Sequence, residues 1–164
     1  MAIDVPRLIR AAGGEIVGKV RLQKMVYLLD QLGVQTEFSF SYHHYGPYSD
    51  DLAEVVEDDV IFGRVKAERR RRSDGVPYVV YRAAPGDAAS ESVFEQPKIN
   101  AALQAMQRSS ATVLELAATI HWLAFVEKVG NWEAELVRRK GIKTEEGREG
   151  KALALLKSLQ IAPT

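Results

Sequence analysis

The sequence predicts one α+β domain that is predominantly helical, with a single β-hairpin and an extended aromatic segment. Its 164 residues correspond to one domain, which we divide into a motif-bearing half, residues 1–83, and C-terminal helices over residues 98–164. Apolar residues recur at helical spacing along most of the chain, and alternation is confined to residues 37–42 and 65–83. The hydrophobic fraction of 46% and the charged fraction of 27% are typical of a globular protein with a real core.

Two helices are predicted at the start of the chain. Ile3–Ala12 forms a short helix in which Asp4 is the N-cap, and two glycines end it. Val20–Leu32 forms a second helix because its apolar residues fall at 3.6-residue spacing, and Gly33 follows as the C′ glycine.

An aromatic segment follows. Phe38, Phe40 and Tyr42 alternate with serines, which predicts a half-buried strand or extended arm over residues 37–42. Gly46-Pro47 is expected to end this arm.

Ser49 then caps a third helix, which ends at Gly63. Asp58 and Asp59 lie near its C-terminus, where the helix dipole disfavours carboxylates, so either a basic neighbour or a functional role is expected for them.

Residues 65–83 are predicted to form a β-hairpin around Asp74-Gly75, a favoured type I′ turn. A two-residue turn pairs Arg72 with Pro77 and Arg70 with Val79, and the proline predicts that the returning strand is a sheet edge. The arginines at 69–72 alternate between faces, so at most half of them face one surface.

The remainder is predicted to be a loop over residues 84–97 and four helices. The helices are expected over residues 98–107 and 110–127, from the N-cap Asn131 to Lys140, and from Thr144 onward.

The charge is neutral in total but uneven. The 22 basic and 22 acidic residues cancel, yet residues 49–63 carry six acidic side chains and no basic one, and residues 64–82 carry seven basic side chains. Either the two segments pack together and neutralise each other, or they face charged partners. Both interpretations stay open.

Composition and motifs exclude several classes. No apolar run is long enough for a membrane span and no secretory signal precedes the first helix, so we expect a cytoplasmic protein. The absence of cysteine excludes disulfides and thiolate ligands. Serine-hydrolase, P-loop and dinucleotide motifs are also missing, so we expect no enzymatic activity and no cofactor.

The histidines do not predict a metal site. His43 and His44 are adjacent in an extended segment, so their side chains point to opposite faces. His121 lies beside a helical core stripe and is expected to be a hydrogen-bonded structural histidine.

Two segments are candidates for binding. Tyr42, His43, His44, Tyr45, Pro47 and Tyr48 supply polar-tipped rings of the kind enriched at protein interfaces. The arginines, Arg69, Arg70, Arg71 and Arg72, lie near tyrosines and suit phosphate contact and base stacking.

The order of helix, helix and basic hairpin outlines a winged helix, which makes a DNA-binding regulator the alternative function. Two features disfavour it. Sixteen residues separate the two helices, where a helix-turn-helix has a short turn, and the second helix is the acidic one.

Residues Arg21–Tyr27 and Tyr42–Ser49, with Leu52 after them, resemble the Panacea domain, a group that includes SocA-like antitoxins and related YwgA-like bacterial proteins. This resemblance implies a mostly helical, non-enzymatic module that neutralises a toxin or adapts one protein to another.

The same motif adds three residues to the candidate binding set, Gln23, Lys24 and Gly46. Gln23 and Lys24 lie off the apolar stripe of their helix, so we expect them to hold the Gly46-Pro47 turn through its backbone. The identity of the partner protein and the oligomeric state stay open.

Overall fold

The computed structural model describes residues 3–86 and 93–164, and within them it confirms the predominantly helical α+β fold. The strands are β1 (Glu15–Val17), β2 (Ser41–His43), β3 (Gly46–Tyr48), β4 (Val65–Arg71) and β5 (Pro77–Ala83). The helices are α1 (Val5–Ala11), α2 (Lys19–Gln31), α3 (Asp50–Ile61), α4 (Pro97–Arg108), α5 (Ala111–His121), α6 (Trp132–Lys140) and α7 (Arg148–Ser158). Part of the predicted loop, residues 87–92, lies outside the described residues.

Local sequence signals explain most helix starts. The side chains of Asp4, Ser49, Ser110 and Asn131 each accept a hydrogen bond from a backbone N–H in the first turn of the helix that follows. Asp59, near the end of α3, has the expected basic neighbour, because its Oδ1 lies 2.6 Å from Arg64 Nε. The helix predicted from Thr144 was placed too early: residues 141–144 form a 3₁₀ turn, and α7 begins at Arg148.

The arginine hairpin, β4 and β5, forms a three-stranded antiparallel sheet with β1 in the order β1-β5-β4. The prediction that the returning strand is an edge was therefore wrong, since β5 is central. Pro77 is tolerated because it is the first residue of β5, beyond the end of β1, which pairs only with residues 80–82.

The predicted register of this hairpin was wrong by one residue. Arg71 pairs with Pro77 and Arg69 with Val79, because the loop contains three residues rather than two. Gly75 closes the loop with a φ of +88°, and the Arg72 N–H donates to the Val76 carbonyl. A one-residue shift moves every side chain of one strand to the other face relative to its partner.

The aromatic segment is also corrected. Residues 34–40 form no strand, although Phe38 is buried and the ring of Phe40 packs edge-on against Tyr27. The regular part is a second hairpin, β2–β3, in which Tyr42 pairs with Pro47 and His43 with Gly46. The reversal is therefore at His44-Tyr45, and the two residues predicted to be the turn begin the returning strand.

One hydrophobic cluster runs through both halves of the chain. Helix α2 lies at its centre, and α5 packs against both α2 and α7. At the end of α5 the chain makes a π-helical turn over Trp122–Val126, which brings Trp122 beside Tyr27. None of the helices among the described residues has the length and hydropathy that a membrane crossing requires.

Candidate functional site: a basic groove beside the aromatic hairpin

The aromatic hairpin, residues 41–48, is fixed by buried polar groups of α2. Lys24 Nζ donates to the Pro47 carbonyl oxygen at 2.6 Å. The Gln23 amide donates to the Ser49 carbonyl at 3.0 Å and accepts from the Ser49 N–H at 2.9 Å. The prediction that both residues hold Gly46-Pro47 through its backbone is confirmed for Lys24, whereas Gln23 bonds to Ser49, one residue beyond the hairpin.

Burial changes the interpretation of four candidate residues. Lys24 is 1% exposed, and Gln23, Gly46 and Pro47 are also buried. They position the hairpin and expose little of their own surface, so their place among the contact residues stays a prediction. Tyr45 is 49% exposed, His43 and His44 are exposed, and Tyr42 and Tyr48 are half-buried, so these five retain accessible surface.

Gly46 seats the hairpin on α5. Its φ is +94°, and a Cβ built on it would lie 2.7 Å from Thr119 Oγ1. Thr119 Oγ1 cannot easily withdraw, because it donates to the Glu115 carbonyl at 2.8 Å. Glycine is therefore required here both by backbone conformation and by the close approach of α5.

Cations from the C-terminal half hold the hairpin from its other side. The guanidinium of Arg139 lies 4.7 Å from the centre of the Tyr42 ring, and Lys143 Nζ lies 4.9 Å from the centre of the Tyr45 ring. Lys140 Nζ donates to the His44 carbonyl at 3.3 Å. The rings of Tyr42 and Tyr45 are thus oriented by cations of the same chain.

A group of lysines surrounds one carboxylate beneath this hairpin. Glu115 lies 2.9 Å from Lys140 Nζ and 3.0 Å from Lys143 Nζ. Burial lowers the pKa of Lys24 to about 8; the charge of Glu115 opposes this shift, and the two other lysines add to it. With Lys24 charged, three lysines share one glutamate, which leaves an excess of positive charge.

The aromatic hairpin and the arginine hairpin face each other across one groove of about 1130 Å³. Tyr45, Tyr48 and Lys143 line one side, and residues 69–72 and 76–79 line the other. Among the described residues that line it, eight side chains are basic and Glu115 is the single acidic one. The two segments that the sequence marked separately therefore form one site, which we call the basic groove.

All four arginines line the groove, whereas the sequence predicted that at most half of them would face one surface. Ion pairing nevertheless divides them into two sets. Arg70 and Arg72 form ion pairs within the hairpin, with Glu68 at 2.9 Å and Asp74 at 2.8 Å. Arg69 and Arg71 occupy the alternate positions and have no carboxylate within ion-pair distance among the described residues. The charges of these two arginines are therefore not balanced by an ion pair among the described residues.

The acidic helix does not neutralise the arginine hairpin. Glu15 and Glu68 supply the carboxylates that pair with Arg82 in the sheet, and both lie outside α3. Asp59, paired with Arg64, is the α3 residue in an ion pair with this segment among the described residues. The exposed carboxylates of α3 therefore remain a separate acidic surface.

His121 has the structural role predicted for it. Its Nδ1 lies 2.9 Å from the Tyr27 hydroxyl, and this buried contact joins α2 to the end of α5. Burial lowers the pKa of His121 to about 4 and raises the pKa of the Tyr27 hydroxyl, so both groups are neutral at pH 7.

Sequence reasoning missed β1 and the charged group around Glu115. Val17 and Gly18 at the end of β1 line the groove, but three residues are too few for an alternation signal. Glu115 and Lys143 are 28 residues apart, and no motif connects them.

No family model matches the chain. Over 108 residues it is 26% identical to the uncharacterized protein YwgA of Bacillus subtilis strain 168. The match covers 65% of this chain and 65% of that relative, so the chain spans slightly less than two thirds of the relative's length. The similarity supports the YwgA-like part of the predicted resemblance and brings no activity with it.

Proposed function

We propose that this protein is a non-catalytic binding module that captures a partner protein at the basic groove, and that it acts as an antitoxin or adaptor. The observation that carries the proposal is the convergence of oriented tyrosines and uncompensated arginines on one groove. Aromatic and arginine side chains supply most binding energy at protein interfaces.

The hairpin is preorganised for such a role. Tyr45 is held over Lys143 and edge-on to His44, yet half of its surface is exposed. Ordering a side chain on binding costs about 0.5–1.5 kcal/mol, and a ring already fixed avoids most of this cost. The resemblance to SocA-like antitoxins supports the role of neutralising or delivering a partner.

A DNA-binding regulator remains the second candidate, because the element order and the sheet order β1-β5-β4 match a winged-helix outline with a basic wing. The charge on α3 disfavours it. Asp50, Asp51, Glu54, Glu57 and Asp58 are all exposed on the helix that would enter the major groove, where phosphates repel them.

A cross-linking experiment tests the proposal. Benzoylphenylalanine placed at Tyr45 and expressed in the native host is expected to cross-link one protein; the same residue at Phe62, 70% exposed and outside the groove, serves as the control. A Tyr48→Ala substitution is expected to lower the cross-linking yield about tenfold without shifting the melting temperature by more than about 2 °C.

The outcomes separate the candidates. Cross-links to nucleic acid alone, or to the same proteins from both positions, would contradict the proposal. The captured protein is then expressed alone and with this chain. Relief of growth arrest supports the antitoxin role, and altered turnover of the captured protein supports the adaptor role. If this chain has neither effect, both roles are overturned.

A further inference from the structure

The central strand of the sheet is longer than one of its neighbours. β5 pairs with β4 over all seven of its residues but with β1 only over Val80–Arg82. Beyond that point Gly18 donates its N–H to the Val79 carbonyl at 2.8 Å, and the chain turns away into α2. On the side away from β4, therefore, Val79 has only its carbonyl paired and Pro77 has no neighbouring strand in the described part of the chain, which leaves a gap.

Two backbone groups face this gap. Even-numbered residues of the returning strand direct their polar groups toward β4: the Val76 carbonyl accepts from the Arg72 N–H, and the Ala84 N–H donates to the Arg64 carbonyl. In an antiparallel strand, alternate residues direct their polar groups to opposite sides, so Pro77 and Val79 face away from β4. The Pro77 carbonyl and the Val79 N–H have no hydrogen-bond partner within residues 3–86 and 93–164.

The gap opens into the basic groove. Val17 and Gly18 lie on its α2 side, residues 76–79 form the other side, and Val17 and Val76 are 40% and 46% exposed. Lys19, Arg69 and Arg71 line the same groove without an ion-pair partner among the described residues. The site thus combines unpaired strand groups, exposed aliphatic surface and free positive charge.

We infer that the groove binds an extended acidic segment of the partner protein as an added strand beside Pro77–Val79, a conclusion that rests on the proposed function. A peptide supplies both an N–H for the Pro77 carbonyl and a carbonyl for the Val79 N–H. A nucleic-acid backbone has no N–H donor, so this pairing favours a peptide. Alternating acidic and aliphatic side chains then meet the arginines and the valines.

Fluorescence anisotropy with a labelled octapeptide of alternating glutamate and valine tests the inference. We expect it to bind, and the same peptide with lysine in place of glutamate to fail. Arg69→Ser with Arg71→Ser is expected to weaken binding at least tenfold. Lys151→Ser with Lys157→Ser, which removes equal charge from α7 outside the groove, is expected to leave binding unchanged.

N-methylated probes test strand pairing in the unmodified protein. Only alternate N–H groups of a strand face its neighbour. One probe is N-methylated at all glutamates and the other at all valines, and we expect one of the two to lose binding while the other still binds. Slower hydrogen exchange of the Val79 amide in the peptide complex is the expected second readout.

Equal effects of the two methylation patterns, or an unchanged Val79 amide, would overturn the added-strand geometry. An octathymidine that binds more tightly than the peptide would overturn the choice of a peptide. If either of these results is obtained but a protein is still cross-linked at Tyr45, the added-strand inference fails while the proposed function stands. The failure of the inference can therefore be distinguished from the failure of the proposed function.

Discussion

Mild acid is expected to destabilise the fold through one histidine. His121 is 6% exposed and its pKa in the folded protein is about 4, compared with about 6.5 when the chain is unfolded. The unfolded chain therefore binds a proton between these values and the folded protein does not, so stability falls as the pH falls through this window. From pH 6.5 to pH 4.5 the expected loss attributable to this group is about 2 kcal/mol.

The shifted carboxylates act mainly at lower pH. Hydrogen bonds from arginines lower the pKa values of Glu68 and Glu135 to about 2 and also lower the pKa of Glu127, so these groups reduce stability mainly below about pH 5. Urea denaturation followed by far-ultraviolet circular dichroism at pH 7.0, 6.5, 5.5 and 4.5 measures the loss.

Two variants decide whether the loss belongs to His121. His121→Gln can keep a hydrogen bond to the Tyr27 hydroxyl but cannot titrate, so its stability is expected to be nearly flat over the window. His44→Gln, on the exposed turn of the aromatic hairpin, is expected to behave like the unmodified protein. A His121→Gln variant that loses as much stability as the unmodified protein would refute the reasoning.

Two further predictions concern the contacts that hold the aromatic hairpin. Gly46→Ala is expected to lower the melting temperature by about 5–10 °C, because the added Cβ would lie 2.7 Å from Thr119 Oγ1 and the φ of this residue is positive. Thermal melting of the double variant, Gly46→Ala with Thr119→Ala, checks the cause, since removing the Thr119 hydroxyl is expected to restore part of the loss. The pKa of Lys24 is about 8 in the folded protein and about 10.5 unfolded, so stability is expected to rise by about 2 kcal/mol from pH 7 to pH 9.5. Stability rises because the unfolded chain retains a proton that the folded protein releases. Urea denaturation of Lys24→Met is expected to show no such rise. An equal rise in that variant would assign the pH dependence to another group.

The sequence predicted what depends on neighbouring residues and missed what depends on distant ones. Ser49 and Asn131 were identifiable as N-caps because the cap and the N–H that it accepts from are three residues apart. The register of the arginine hairpin was not identifiable, because Asp74-Gly75 fits both a two-residue and a three-residue loop. The central position of β5 depends on pairing with β1, more than 60 residues earlier.

The candidate site shows the same division. The off-stripe positions of Gln23 and Lys24 predicted their hydrogen bonds to the hairpin segment, but not that α5 would bury them. Lysine is rarely buried, so a lysine off the apolar stripe of a helix is expected at the surface. Its burial follows from the packing of α2 against both the aromatic hairpin and α5.

The chain is electrically neutral in total but carries opposite charges on different surfaces. The carboxylates of α3 form one pole, and the basic groove, which α3 does not line, forms another. In dilute buffer the opposite poles of two molecules attract, whereas at about 0.1 M salt the Debye length falls to about 10 Å and this attraction is screened. We therefore expect low ionic strength to favour self-association near the isoelectric point of about 6.9.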